Sequence, residues 1–172
     1  VYSVAAYIGP ITNEVSGLTG SGVALMQALV GVASIAGLPL GAMLADRGGR
    51  GAALLPAGAL GANLLQAGLL VGLAAGTALA LPLQAAAVLL SAGSLFALGP
   101  VLGARLAMLA PEARGFVMAC NSSAIFLGQA GGAALGGLGI AVFGLAGAGI
   151  AGAGAGLAAL WLARGIARPR LS

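Results

Sequence analysis

Residues 51–104 read GAALLPAGALGANLLQAGLLVGLAAGTALALPLQAAAVLLSAGSLFALGPVLGA, and no charged residue interrupts them. A single membrane crossing takes about 20 apolar residues, so this stretch is too long for one crossing and suits two. Arg47 and Arg50 stand before it, and Arg105 and Arg114 after it. A second charge-free stretch, from Gly115 to Ala163, leads to Arg164, Arg168 and Arg170. Two crossings return the chain to the side it left, so all seven basic residues are expected on one face. The positive-inside rule makes that face cytoplasmic, with the C-terminus on it, as in a protein integral to the plasma (bacterial inner) membrane.

Composition agrees with this reading. Hydrophobic residues make up 60% of the chain and charged residues 6%, and the mean hydropathy is +1.12, far from a soluble domain. The net charge of +4 comes from arginines at expected helix ends, which suits topology and lipid headgroups and not nucleic acid. Histidine and lysine are absent and Cys120 is the single cysteine. A histidine metal site, a Schiff base, a Walker-type phosphate loop and an intrachain disulfide are therefore all excluded, and no cofactor or metal is expected. Three acidic residues scattered along the chain cannot form an enzyme's acid–base cluster.

Six spans are expected. The first, Val1–Val15, would be about 23 Å long as a helix, short of the ~30 Å hydrocarbon core, and is read as a helix truncated at its cytoplasmic start. The second covers about 21–45, the third 52–75 and the fourth 79–102. The fifth starts near Gly115 and parts from the sixth between Gly139 and Gly149. Trp161 suits an interfacial anchor. Glycines recur every fourth residue at Gly37 and Gly41, at Gly68, Gly72 and Gly76, and at Gly128, Gly132 and Gly136, a spacing that lets helix backbones approach closely.

Six spans divide into two triplets, 1–75 and 79–164. Gly9-Pro10 lies near the outer end of the first span and Gly99-Pro100 near the inner end of the fourth. If the triplets are inverted repeats, these pairs are corresponding interruptions, the pattern expected of hinges in a transporter.

The stretch GLPLGAMLADRGGRG, residues 37–51, resembles the signature loop of the major facilitator superfamily, through Gly41, Leu44, Ala45, Asp46, Arg47, Gly49 and Arg50. Ala42 and Gly51 depart from the pattern, as in the weaker second copy of that loop. ARLAMLAPEARG with ACNSSAIFLGQAGGAALGG, and AYIGPITNEVSGLTG, resemble segments of the drug:proton antiporter branch that contains arabinose-efflux-permease-like proteins. The resemblance implies an all-α polytopic membrane protein, the C-terminal six-helix half of a twelve-helix fold with a 3+3 inverted repeat. It implies a secondary active transporter that exports a small organic solute, such as a drug or sugar, by alternating access driven by protons. Its partners would be the substrate, the bilayer and the missing N-terminal half. By the same mapping Asp46, Arg47 and Arg50 form a cytoplasmic latch, and Tyr7, Gln27, Ser91, Ser94, Asn121 and Phe126 face the substrate cavity. Asn63 and Gln66 map to a peripheral helix and are read as links between helices. The competing reading is a structural or regulatory membrane subunit that moves nothing.

Overall fold

The computed structural model describes residues 1–46, 54–74, 77–109 and 111–166. These form seven helices and no strand: α1 (Tyr2–Ala5), α2 (Ile8–Ser16), α3 (Ser21–Asp46), α4 (Leu54–Leu70), α5 (Ala80–Leu109), α6 (Arg114–Phe143) and α7 (Ala146–Ile166). Helices α3, α5 and α6 are long and apolar enough to cross a membrane, whereas the apolar parts of α4 and α7 are shorter. Large apolar side chains cover the outside of the bundle, including Ile35, Leu127 and Trp161. Such a surface fits an integral membrane protein, because lipid and not water is its natural solvent.

The expected first span is two helices, and Pro10 explains the break. A proline has no N–H for the carbonyl four residues back, and its ring collides with that carbonyl. For Pro10 the carbonyl is that of Ala6, the residue that caps α1. The Tyr7 amide instead donates to the Val4 carbonyl at 2.9 Å, and α2 resumes with Ile11 N–H on the Tyr7 carbonyl at 3.1 Å. Pro10 thus lies in the first turn of α2, where a missing donor costs nothing. By contrast α3 runs through Pro39, and α5 runs through Gly99 and Pro100, without interruption.

Two glycine rows make the expected close contacts and one does not. A methyl on Gly37 would lie 2.8 Å from the Gly93 carbonyl oxygen, and one on Gly41 would overlap the Ala97 backbone, so α3 and α5 touch backbone to backbone. Gly132 and Gly136 receive Tyr2 and Ser3 in the same way, while Gly128 faces open space. In the third row Gly72 has left the helix, with φ 103°. Its amide bonds to the Leu69 carbonyl and that of Leu73 to the Gly68 carbonyl, at 3.2 and 2.8 Å, the Schellman arrangement that ends a helix. Helix α4, the expected third span, therefore stops at Leu70, more than a turn short of the expected end at residue 75. Gly76 lies outside the described residues.

Packing registers give the direction of every helix. Along α3 and α5 the paired positions rise together, Met26 with Val88, Gly37 with Phe96 and Gly41 with Ala97, so the two are parallel. Helix α2 is antiparallel to α5, through Ile8 with Val88 and Thr12 with Gln84. Helix α4 is also antiparallel to α5, through Leu55 with Val101 and Gly58 with Leu90. Helix α7 descends beside α4, with Gly149 on Ala67 and Gly156 on Leu60, and beside α6, with Gly139 on Gly147. Tyr2, Ser3 and Tyr7 meet Gly132, Gly136 and Gly137 in rising order, so α1 and α6 are parallel. Asp46, Arg105, Arg114 and the turn of α7 that carries Arg164 consequently fall at one end of the bundle.

Candidate functional site

Four of these helices enclose polar groups that an apolar bundle does not need for packing. A cavity of about 110 Å³ lies between α1, α3, α4 and α5. Its lining residues with polar side chains are Tyr2 on α1, Gln27 on α3, Asn63 and Gln66 on α4, and Ser91 on α5, and Phe96 and Val88 supply apolar wall. Asn63 and Gln66 are three residues apart, which puts both on one face of α4. That face looks inward, and each side chain is only 2% exposed. The Asn63 Nδ2 donates to the Ala59 carbonyl of its own helix at 2.7 Å. Its Oδ1 and the Gln66 Nε2 are buried without any hydrogen-bond partner.

A second, larger cavity of about 300 Å³ lies on the other side of α1, between α4, α5, α6 and α7. It is mostly apolar, and Asn63 and Leu95 border both cavities. Gly152 allows α7 to approach here, since a methyl at that position would overlap both Asn63 Oδ1 and Ser3 Oγ. The Ser3 hydroxyl is likewise buried and unpartnered.

The residues expected to face one cavity are dispersed. Gln27 and Ser91 line the smaller one. Ser94 lines the larger one and packs against Gly58 of α4. Tyr7 borders neither, and its hydroxyl donates to the Ala133 carbonyl at 3.1 Å, fastening the α1–α2 break to α6. Asn121 is partly exposed on α6 and Phe126 is 68% exposed, and neither borders either of these two cavities. Gly9 and Pro10 adjoin the break itself, whereas Gly99 and Pro100 lie within continuous helix. Asp46 is the exposed last residue of α3. Arg47 and Arg50 lie outside the described residues.

Sequence reasoning passed over the best-placed amides. Among the described residues neither Asn63 nor Gln66 shows a hydrogen bond to another helix, although both are buried and Asn63 Oδ1 packs against Gly152 of α7. Their signal was two primary amides on one face of an apolar span. Gln84 was also passed over, although it is fully buried and its Nε2 donates to Thr12 Oγ1 at 3.0 Å, joining α5 to α2. The lining amides and hydroxyls can donate and accept hydrogen bonds to an uncharged guest. Comparison with known families, with curated proteins and with solved structures finds no match for this chain.

Proposed function

We propose that the chain is a six-helix half of a secondary transporter of the major facilitator type, which moves a small organic solute by alternating access. The observation that carries this reading is an exchange symmetry in the packing. Take α1–α2, α3 and α4 as one triplet and α5, α6 and α7 as the other. Helix α3 lies parallel on α5, and α6 lies parallel on α1. Helix α4 packs on α5, α7 packs on α1, and α4 and α7 pack on each other. When the triplets are swapped, the two parallel contacts interchange, the α4–α5 and α7–α1 contacts interchange, and the α4–α7 contact maps onto itself, whereas the α6–α7 contact has no α3–α4 counterpart of similar extent. The leading helices α2 and α5 run in opposite directions, as inverted repeats require. The loop resemblance at residues 37–51 and the arginines gathered at one end support the same reading, with that end cytoplasmic. Proton coupling and the missing half remain parts of the proposal, and a carboxylate for the proton would come from that other half. Asp46, at the end of α3, would accept hydrogen bonds from a helix N-terminus across the cytoplasmic gate.

Site-directed thiol labelling in intact cells tests this without knowledge of the substrate. With Cys120→Ser as background, Thr77→Cys is expected to react with an impermeant maleimide from outside, and Ala113→Cys only after permeabilisation. Ser91→Cys is expected to react from either side, to an extent that changes when the proton gradient is collapsed. Reaction of Ala113→Cys from outside would overturn the orientation. Reaction of Ser91→Cys from one side alone, indifferent to the gradient, would mark a static structural subunit instead.

A further inference from the structure

We infer that the larger cavity and two arginines near it form a binding site for an anionic phospholipid, with one acyl chain in the cavity and the phosphate at Arg105 and Arg114. The cavity, of about 300 Å³, is about twice the roughly 150 Å³ that holds benzene in an apolar protein interior. It is long as well as large. Its lining runs from Leu55 to Asn63 on α4 and from Ala151 to Ala159 on α7, about 12 Å along each helix. A space drawn out along the helix axes suits a hydrocarbon chain that lies along the membrane normal. Ile125 and Gly128 border it from α6 and are themselves exposed, so the cavity opens to the outside of the bundle beside that helix. No Asp, Glu, Lys or Arg side chain lines it, so the charged part of a guest has to stay outside.

Helical register supplies the cations for that charged part. On α5, Arg105 stands seven residues beyond Leu98, two turns along the face that lines the cavity. On α6, Arg114, Met118 and Asn121 lead to Ile125 and Gly128 by the alternating four- and three-residue steps of one helix face. The two helices meet between the arginines and the cavity, where Met118 lies against Gly103. From that meeting Arg105 is about 3 Å and Arg114 about 6 Å toward the charged end, while Leu98 and Ile125 are about 8 and 10 Å toward the cavity. Half of a ~30 Å hydrocarbon core is about 15 Å, so a chain whose headgroup rests at the arginines carries its methyl-terminal part into the cavity. Arg105 is partly buried and Arg114 exposed, and a guanidinium pairs with phosphate through two parallel hydrogen bonds. The charge balance favours an anion, since the chain carries seven arginines against three acids and one of these, Glu14, lies on α2 toward the other end. The site stands independently of any transport.

Native mass spectrometry of the purified protein in detergent, titrated separately with phosphatidylglycerol and phosphatidylcholine of the same acyl chains, tests the inference. One phosphatidylglycerol per chain is expected to bind about tenfold more tightly than phosphatidylcholine, the difference that one charge-assisted hydrogen bond makes. Gly128→Leu puts a side chain into the cavity from a position where an added methyl meets nothing within 4 Å, so the fold is kept and phosphatidylglycerol binding is lost. Gly131→Leu is equally open but lies off the cavity, and should bind like the wild type. The double variant Arg105→Gln/Arg114→Gln should bind both lipids alike. Equal binding of the two lipids by the wild type, undiminished binding by Gly128→Leu, or a preference that survives in the double arginine variant would each overturn the site. Displacement of the lipid by an equal concentration of glycerol phosphate would reduce it to a phosphate contact, and a dimer mass that appears only without lipid would give the cavity to a second copy; either result also overturns it. None of these results depends on the labelling pattern of Ser91→Cys, so the two ideas can fail separately.

Discussion

Helices α5 and α6 have the same length, 30 residues, and both are apolar enough to cross a membrane, yet they occupy opposite environments. Helix α5 buries Ala80, Gln84, Ala87, Val88, Ala92, Ser94, Ala97 and Val101 over its first six turns, and α6 buries Gly136 alone. The former is surrounded by α2, α3 and α4, while the latter shows Phe116, Ile125, Phe126, Leu127 and Leu138 to the outside. Hydropathy measures what a helix tolerates around it, and lipid and protein interior are nearly alike in that respect. What separates the two helices is where small residues meet a partner backbone and where polar groups find company.

That contrast can be broken most severely at the α3–α5 contact. Gly41→Val would drive a branched side chain into the Ala97 backbone, and overpacking of this kind typically costs about 1–3 kcal/mol, more where backbone must move. The folded yield and melting temperature in detergent should collapse, while Gly131→Ala on α6, where nothing lies within 4 Å, should stay near wild type. Equal tolerance at both positions would mean that α3 and α5 are not in backbone contact.

A smaller loss is expected from Thr12→Val, which leaves the buried Gln84 amide without its partner on α2, at about 1–3 kcal/mol. The double variant Thr12→Val/Gln84→Met should recover part of that loss, because the stranded amide is then gone. A thermal-melt cycle of the four proteins measures the coupling, and strict additivity would remove the α2–α5 bond from the account.

Tyr7→Phe removes one hydrogen bond that reaches α6, and the Ala133 carbonyl remains within a continuous helix. A drop at the lower end of the usual ~0.5–1.5 kcal/mol is expected, read as a slightly lower melting temperature. Phe126→Ala, at an exposed position, and Asn121→Ala, at a partly exposed one, should each change stability by less than ~0.5 kcal/mol. A large loss at Phe126 would show that the bare side of α6 is covered in the folded protein.

Helix ends were easy to read because charge and glycine mark them chemically. Asp46 ends α3 where the charges begin again, and the unlocated turn between Gly139 and Gly149 falls at Gly144, whose φ is 64°. Inward and outward faces were harder. In these helices apolar residues surround the axis, so the periodicity that orients a soluble helix is nearly absent. The spacing of Asn63 and Gln66 says that they share a face, but only the approach of α5 and α7 says that the face is buried. Asn121 and Phe126 share the opposite problem, since a polar or aromatic residue on α6 carries no mark of the side it looks to. Gly72 had the spacing of a packing glycine and serves instead to stop a helix, a distinction that depends on φ alone.

The interruption at Ala6–Tyr7 has a mechanical side. Helix α1 packs on α6 and α7, whereas α2 packs on α3 and α5, so the two parts of one span are anchored to different neighbours. A sliding of α6–α7 past α3–α5 would load the span at Tyr7. In an unbroken helix that load would have to stretch the ladder bond between residues six and ten. Pro10 has no such bond to offer, so the span can pivot about a few backbone torsions with its remaining ladder intact. The Tyr7 side chain ties the break itself to α6 through the Ala133 carbonyl. The break therefore divides the span into a one-turn arm held by α6 and α7 and a longer arm held by α3 and α5, with no ladder bond at Pro10 to couple them.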